Sequence, residues 1–306
     1  MNIIAAMPPT ERRHRAPSLP LPPGAADCHM HVFGPYGRYP LAAERAYTVP
    51  EAPLAAHEAM KRSAGLERTV LVQASGHGTD NRAMLAALAQ LGPRGRAVAV
   101  VEADAPAREL EQMHAAGVRG LRLNFQTIRS RYAGDAGSWL ARFEAQVAPL
   151  GWHLQLFCGA DLLAEMESVL AKAKANIVID HMGLPDAAAG VEQPGFQTVL
   201  RLLRSPNIWV KLAGADRITR ASGRLRDAVP FMRALAEAAP DRLVWGSDWP
   251  NIGFHQRKAV HDGAILPYRD LDAGELLDVL IEAVPDAGAR RAILATNPAR
   301  LYDFGA

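Results

Sequence analysis

The stretch AADCHMHVFGPYG, residues 25–37, decides the fold. It opens as a short apolar run and closes on Gly and Pro, the pattern of a buried strand. An open, doubly wound sheet announces its nucleotide site by a Gly-rich G-x-G-x-x-G turn after the first strand. Here the first run ends instead in two histidines, His29 and His31. At i and i+2 on a strand, both rings point to the same face.

Working outward, seven more runs share this character. They are RTVLVQ (68–73), GRAVAVVE (95–102), VRGLRLNF (118–125), WHLQLFC (152–158), NIVIDHM (176–182), NIWVKLA (207–213) and RLVWGSD (242–248). Between them lie segments with helical spacing, such as 53–65, ending in Gly65, and 80–92, with Asp80 as a candidate N-cap. Pro230 marks a kink or the start of a helix within 224–240. Apolar strands alternating with helices predict a parallel sheet covered by helices. Eight repeats suit a (β/α)8 barrel, for which about 250 residues is typical. Residues 24–306 are read as one such domain, and the Pro- and Arg-rich residues 1–23 as a flexible arm.

Composition excludes several classes. The 306 residues carry 34 basic and 32 acidic side chains, a net charge of +2. That balance gives no electrostatic case for nucleic acid or an anionic membrane. No apolar run approaches a membrane span. The N-terminus has no basic region before its short apolar stretch, so it makes a poor signal peptide. Two cysteines, Cys28 and Cys158, define no disulfide framework, and a cytoplasmic setting is expected. Homo-oligomerisation is left open.

In a barrel, catalytic groups collect at the C-terminal ends of the strands. The first run ends with His29 and His31, the sixth with His181 and the eighth with Asp248. Asp180, next to His181, is expected to face the other way. A lone His in an apolar strand is ordinarily a satisfied core residue, but two imidazoles in one core are hard to satisfy without a purpose. The loop after run two supplies Ser75, His77 and Thr79, with Gly76 and Gly78 allowing close backbone approach to a ligand. Arg122, flanked by Leu121 and Leu123, needs a charge partner or a ligand anion. Arg217 follows run seven and Arg129 follows run four.

Taken together, DCHMHVFG, QASGHGTDN, RGLRLNF, IDHMGLPD, VWGSDWP and TNPARLY resemble the amidohydrolase superfamily, and within it the lactonase branch that includes the 2-pyrone-4,6-dicarboxylate lactonases. The resemblance runs from about residue 25 to 303. It implies a distorted (β/α)8 TIM barrel that hydrolyses a lactone. It also implies catalytic roles for His29, His31, His181 and Asp248. Arg122 and Arg217 match arginines that hold a substrate carboxylate, and Ser75 with its loop matches polar substrate contacts. The chain departs from the pyrone dicarboxylate enzymes where Phe157 replaces a Tyr and Leu184 an Arg, and where Arg129 stands beside the place of another Arg. These departures bear on the substrate rather than on the lactone class.

Metal-dependent members of the superfamily add a His on strand five and sometimes a bridging Lys or Glu on strand four. Here the only His of run five, His153, lies at the strand's start, and run four offers Arg122 and Asn124. Metal-free hydrolysis of a carboxylated lactone, either 2-pyrone-4,6-dicarboxylate-like or a sugar-acid lactone, is therefore expected. Asp248 would act as base, and His29, His31 and His181 would donate hydrogen bonds to the carbonyl oxygen. Three alternatives stand beside it. One is a zinc-dependent hydrolase or decarboxylase, with one Zn on His29, His31 and Asp248. The others are a lactone isomerase and a non-catalytic barrel that binds a small acid or a partner protein.

Overall fold

A computed structural model describes residues 12–127, 132, 134–254 and 265–305. All eight apolar runs form strands: β1 (Ala26–Met30), β2 (Arg68–Val72), β3 (Gly95–Ala99), β4 (Val118–Asn124), β5 (His153–Phe157), β6 (Ile177–Ile179), β7 (Ile208–Leu212) and β8 (Leu243–Trp245). They pair in parallel in chain order. The principal helices between and after them are α1 (Leu54–Ala64), α2 (Arg82–Leu91), α3 (Ala107–Ala116), α4 (Ala136–Val147), α5 (Ala160–Glu165), α6 (Glu167–Lys172), α7 (Pro194–Leu202), α8 (Ala215–Ile218), α9 (Val229–Ala238) and α10 (Ala273–Ala283). The architecture is the (β/α)8 barrel.

Local signals behave as physical chemistry requires, with small shifts. Gly65 closes α1 in the left-handed conformation. Pro230 sits in the first turn of α9, where its missing N–H costs nothing. Asp80 is one residue early as an N-cap, since α2 starts at Arg82 with Asn81 before it. Asp80 Oδ1 still accepts from the Arg82 N–H at 3.2 Å.

Two apolar layers result. Inside the barrel, Ala26, Cys28, Val70, Val72, Val98 and Val244 pack toward the C-terminal Tyr302 and Phe304. Outside it, the helices bury their apolar faces on the sheet. Among the described residues, no helix is long and apolar enough to cross a membrane.

The seam between β8 and β1 is closed just past the end of β8. His31 N donates to Trp249 O and Asp248 N to His29 O, each at 2.8 Å. Beneath them the buried Asp27 carboxylate accepts from Ser247 N (2.9 Å), Ser247 Oγ (2.5 Å) and His29 N (3.1 Å), and meets His57 Nε2 of α1 at 2.9 Å. This knot sets Asp248 beside His29 of β1 and His31 just after it.

The described part of the arm is docked rather than loose. Arg12 Nη1 donates to Pro250 O at 3.1 Å, and Asp278 of α10 accepts from Arg15 Nη2 and Ser18 N at 2.6 Å each. Paired charges, which composition does not reveal, hold it there.

Candidate active site

Each catalytic candidate reaches the cavity through a local break in regular structure. Cys28 belongs to the inner layer, so strict alternation would turn His29 away from it. The register of β1 against β2 shifts between Asp27 and Met30, which resets the alternation. His29 and His31 therefore both reach the site, with ring centroids 5.0 Å apart.

The end of β6 corrects one expectation. Asp180 does not face away from His181, because the strand stops at Ile179. His181 and Met182 then take left-handed backbone angles, with φ of 51° and 57°. Adjacent residues no longer point to opposite sides, and both side chains are buried toward His29. Asp180 Oδ1 lies 3.3 Å from His29 Nδ1, and the His181 ring centroid 4.7 Å from that of His29.

Asp248, also left-handed at φ 57°, projects into the centre of this group. Its Oδ1 stands 3.8 Å from Nε2 of His29, 3.8 Å from that of His31 and 3.9 Å from that of His181. Its Oδ2 accepts from Arg217 Nε at 2.6 Å, with Arg269 Nη2 at 3.8 Å. Burial alone would raise the Asp248 pKa, but its neighbours, Arg217 first among them, outweigh it and hold the carboxyl below the usual carboxylate range.

Hydrogen bonding fixes where the imidazole protons sit. His31 Nδ1 is 2.8 Å from Val72 O, and a carbonyl can only accept, so Nδ1 carries the proton. Burial, with His29 and Arg122 adding to it, pushes the His31 pKa down to about 3, so the ring is neutral. Nε2 of His31 is therefore a lone pair. With its Nδ1 proton given to Val72 O, a neutral His31 would accept rather than donate at the site. His181 Nδ1 has no hydrogen-bond partner, so its proton is free to sit on Nε2.

The remaining candidates fall at different places. Arg122 Nε donates to Asp180 Oδ2 at 3.1 Å, and its guanidinium lies 5.0 Å over the Phe157 ring. Phe157 packs edge-on against His181 with centroids 5.1 Å apart. Ser75 Oγ is 2.8 Å from the hydroxyl of Tyr47, a buried residue that the sequence did not single out. His77 turns its Nδ1 to Pro40 O at 3.1 Å and stacks on Phe33, bracing the loop around the mouth. Thr79 is not brought to the centre. It bonds Glu102 at 3.4 Å and lines a groove between α2 and α3. Arg129 lies outside the described residues. Gln155, Lys211 and Arg269 were not singled out either, although a Gln and a Lys inside the apolar runs WHLQLFC and NIWVKLA were a visible signal.

The donor set fits a divalent ion. Ligand atoms of His29, His31 and Asp248 lie within 4.8 Å of one another, as do those of His29, Asp180 and His181. Both ring nitrogens of His29, Asp180 Oδ1 and Asp248 Oδ1 are buried without hydrogen-bond partners. Two imidazoles and a carboxylate would suit zinc. Arg217 on the same carboxylate and the nearby Arg122 oppose a cation electrostatically.

Comparison with known proteins gives the family and agrees with the fold. The amidohydrolase family model matches residues 26–304. A 4-sulfomuconolactone hydrolase from Rhizobium radiobacter is 36% identical over 97% of this chain and 97% of its own. A 2-pyrone-4,6-dicarboxylate hydrolase from Comamonas testosteroni is 36% identical over 94% of this chain and 92% of its own. A crystal structure from Pseudomonas putida, assigned as a 2-pyrone-4,6-dicarboxylic acid hydrolase, superposes with a TM-score of 0.75 at 31% identity, covering 94% of this chain and 100% of its own. With its fold, its strand-end histidines and aspartate and these full-length relatives, the chain belongs to the amidohydrolase family.

Proposed function

We propose that this protein hydrolyses a lactone bearing a carboxylate or sulfonate, by general base catalysis on Asp248 and without a metal. The observation that carries the reading is the division of labour on one carboxylate. Oδ2 is held by Arg217 at 2.6 Å, while Oδ1 faces three imidazole Nε2 atoms at 3.8 to 3.9 Å. A water in that space donates one hydrogen to Asp248 Oδ1 and the other to the His31 lone pair. Asp248 takes a proton as the water oxygen attacks the lactone carbonyl. His181, protonated on Nε2, donates to the carbonyl oxygen as charge builds there. The tetrahedral adduct collapses, the ring C–O bond breaks, and the proton on Asp248 passes to the leaving oxygen. Arg217, on Asp248, and Arg122, on Asp180, are the cations beside this group that would take the substrate's anionic group. The names of the two curated relatives described above support this substrate class.

A second reading is favoured by the unpartnered His29 Nε2 and Asp248 Oδ1. A divalent ion on His29, His31 and Asp248 would, when bound, polarise the carbonyl and acidify a water. One experiment separates the readings. Purified protein is assayed on 2-pyrone-4,6-dicarboxylate, 4-sulfomuconolactone and a neutral lactone, with metal content measured on the same sample before and after chelation. Turnover of an anionic lactone that survives metal removal supports the first reading. Activity that tracks zinc content replaces it with the second. NMR identification of an unopened ring as product would make the enzyme an isomerase, and no turnover of any lactone would overturn hydrolysis altogether.

A further inference from the structure

Below the proposed catalytic group lies a second, wholly interior set of polar side chains that the hydrolytic steps do not touch. Lys211 of β7 is completely buried inside the barrel. Its ammonium donates to Cys28 O at 2.8 Å and to Gln155 Oε1 at 2.7 Å. An ammonium can only donate, so the Gln155 amide has one permitted orientation. Its Nε2 is thereby aimed at Asp180 Oδ2, 3.0 Å away. Arg122 Nε donates to the same oxygen at 3.1 Å. That leaves Asp180 Oδ1 to face His29 Nδ1 at 3.3 Å, with Lys211 Nζ at 3.9 Å on its other side. The hydrogen bonds of Lys211, Gln155 and Arg122 thus have fixed directions, and they leave Asp180 Oδ1 facing His29 Nδ1 at 3.3 Å without a formed hydrogen bond.

We propose that Lys211, Gln155 and Asp180 form a positioning chain that holds the proton of His29 on Nδ1 and so presents the Nε2 lone pair to Asp248 and the reacting centre. Asp180 Oδ1 is the nearer carboxylate to His29, at 3.3 Å against 3.8 Å for Asp248 Oδ1. On a ring that carries one proton, the shorter approach places that proton on the Asp180 side. The chain accounts for three buried polar groups in an apolar barrel, which is costly to build unless each is satisfied. Orientation of an imidazole through its far nitrogen is a general way to set what the near nitrogen can do. The inference concerns the role of His29 in the hydrolysis proposed above and rests on that reading for its catalytic consequence, though not for the tautomer.

Asp180→Asn is the directed test. Its amide oxygen must stay where Arg122 and Gln155 donate, so its NH2 takes the place of Oδ1 and points at His29 Nδ1. The proton of His29 is then driven to Nε2. With 15N-histidine-labelled protein, NMR of the parent should show His29 protonated on Nδ1, and the variant should show it on Nε2. Turnover of an anionic lactone should fall about 10- to 100-fold in kcat, with KM changed little. A parent protein with His29 protonated on Nε2 overturns the proposal, and it does so even where the variant does not fold. A variant that keeps the parent tautomer overturns it too. A variant with the tautomer reversed and kcat unchanged removes the catalytic consequence. Should the parent turn over no lactone, hydrolysis fails while the NMR result still decides the positioning chain.

Discussion

Arg217 Nε donates to Asp248 Oδ2 across 2.6 Å, so the cation proposed to bind a substrate anion is already paired with the proposed base. An arriving carboxylate or sulfonate competes for that guanidinium. Charge recognition and the state of the base are therefore coupled at one side chain. A charge-assisted hydrogen bond contributes about 1.5–3 kcal/mol, and about 1.4 kcal/mol corresponds to tenfold. Arg217→Met is expected to lower kcat/KM for an anionic lactone by roughly 10- to 100-fold. A lactone of the same ring without the anionic group should lose much less. Steady-state kinetics on the matched pair checks this, and equal losses on both would count against substrate recognition by Arg217.

Asp248→Asn keeps the shape of the side chain but cannot take a proton from water. General base catalysis contributes roughly 10²- to 10⁴-fold, and kcat should fall by that much. KM should not rise, because loss of the Asp248 charge frees the Arg217 guanidinium for the substrate anion. Residual turnover within about threefold of the parent would move the base elsewhere.

How much of this was legible in the sequence depends on whether a residue sits on a regular element. His29, His31 and Asp248 were readable because strand ends in a barrel converge. All eight runs were readable because each is apolar along its length. Asp180 was misread because alternation assumes that the strand continues, whereas β6 stops at Ile179 and the backbone turns left-handed at His181. Lys211 was visible as a lone charge in an apolar run. Its partner Cys28 O is 183 positions away and across the barrel, and no local pattern carries that information. Thr79 was placed by its neighbours in a Gly-rich loop, but the tight turn Ser75–His77 carries the following residues out toward α2. The proton on His31 depends on a carbonyl of the adjacent strand, which becomes visible only with coordinates.

Asp27 closes the barrel seam. Its carboxylate accepts from Ser247, the His29 backbone and His57, all buried. Asp27→Ala would strand these donors without partners. A cost of about 3–5 kcal/mol is expected, as when one member of a buried pair is removed. In a chain of this size that is roughly 5–8 °C in Tm. Ser247→Ala removes a single hydroxyl and should cost about 1 kcal/mol. Calorimetry of both variants checks the ranking, and a smaller loss for Asp27→Ala than for Ser247→Ala would remove the knot from the account of the seam.

His153 sits at the opposite end of the barrel from the proposed chemistry. Its ring fills the space left by Gly120, where a Cβ would come within 2.5 Å of it, and meets Tyr302 edge-on at 5.2 Å. Burial, with Lys211 adding to it, pushes its pKa down to about 3. An unfolded histidine titrates near 6.5. Between about pH 3 and about pH 6.5 the unfolded chain binds the proton and the folded one does not, so this residue makes stability rise with pH across that window. Its contribution is complete above about pH 6.5 and is lost as the solution is acidified. His153→Phe keeps a ring of similar shape and removes both the proton site and two buried nitrogens without partners. The urea midpoint of the variant should therefore fall less between pH 7 and pH 5 than that of the parent, with stability at pH 7 equal or higher. An unchanged pH slope in the variant would show that His153 is not the group responsible.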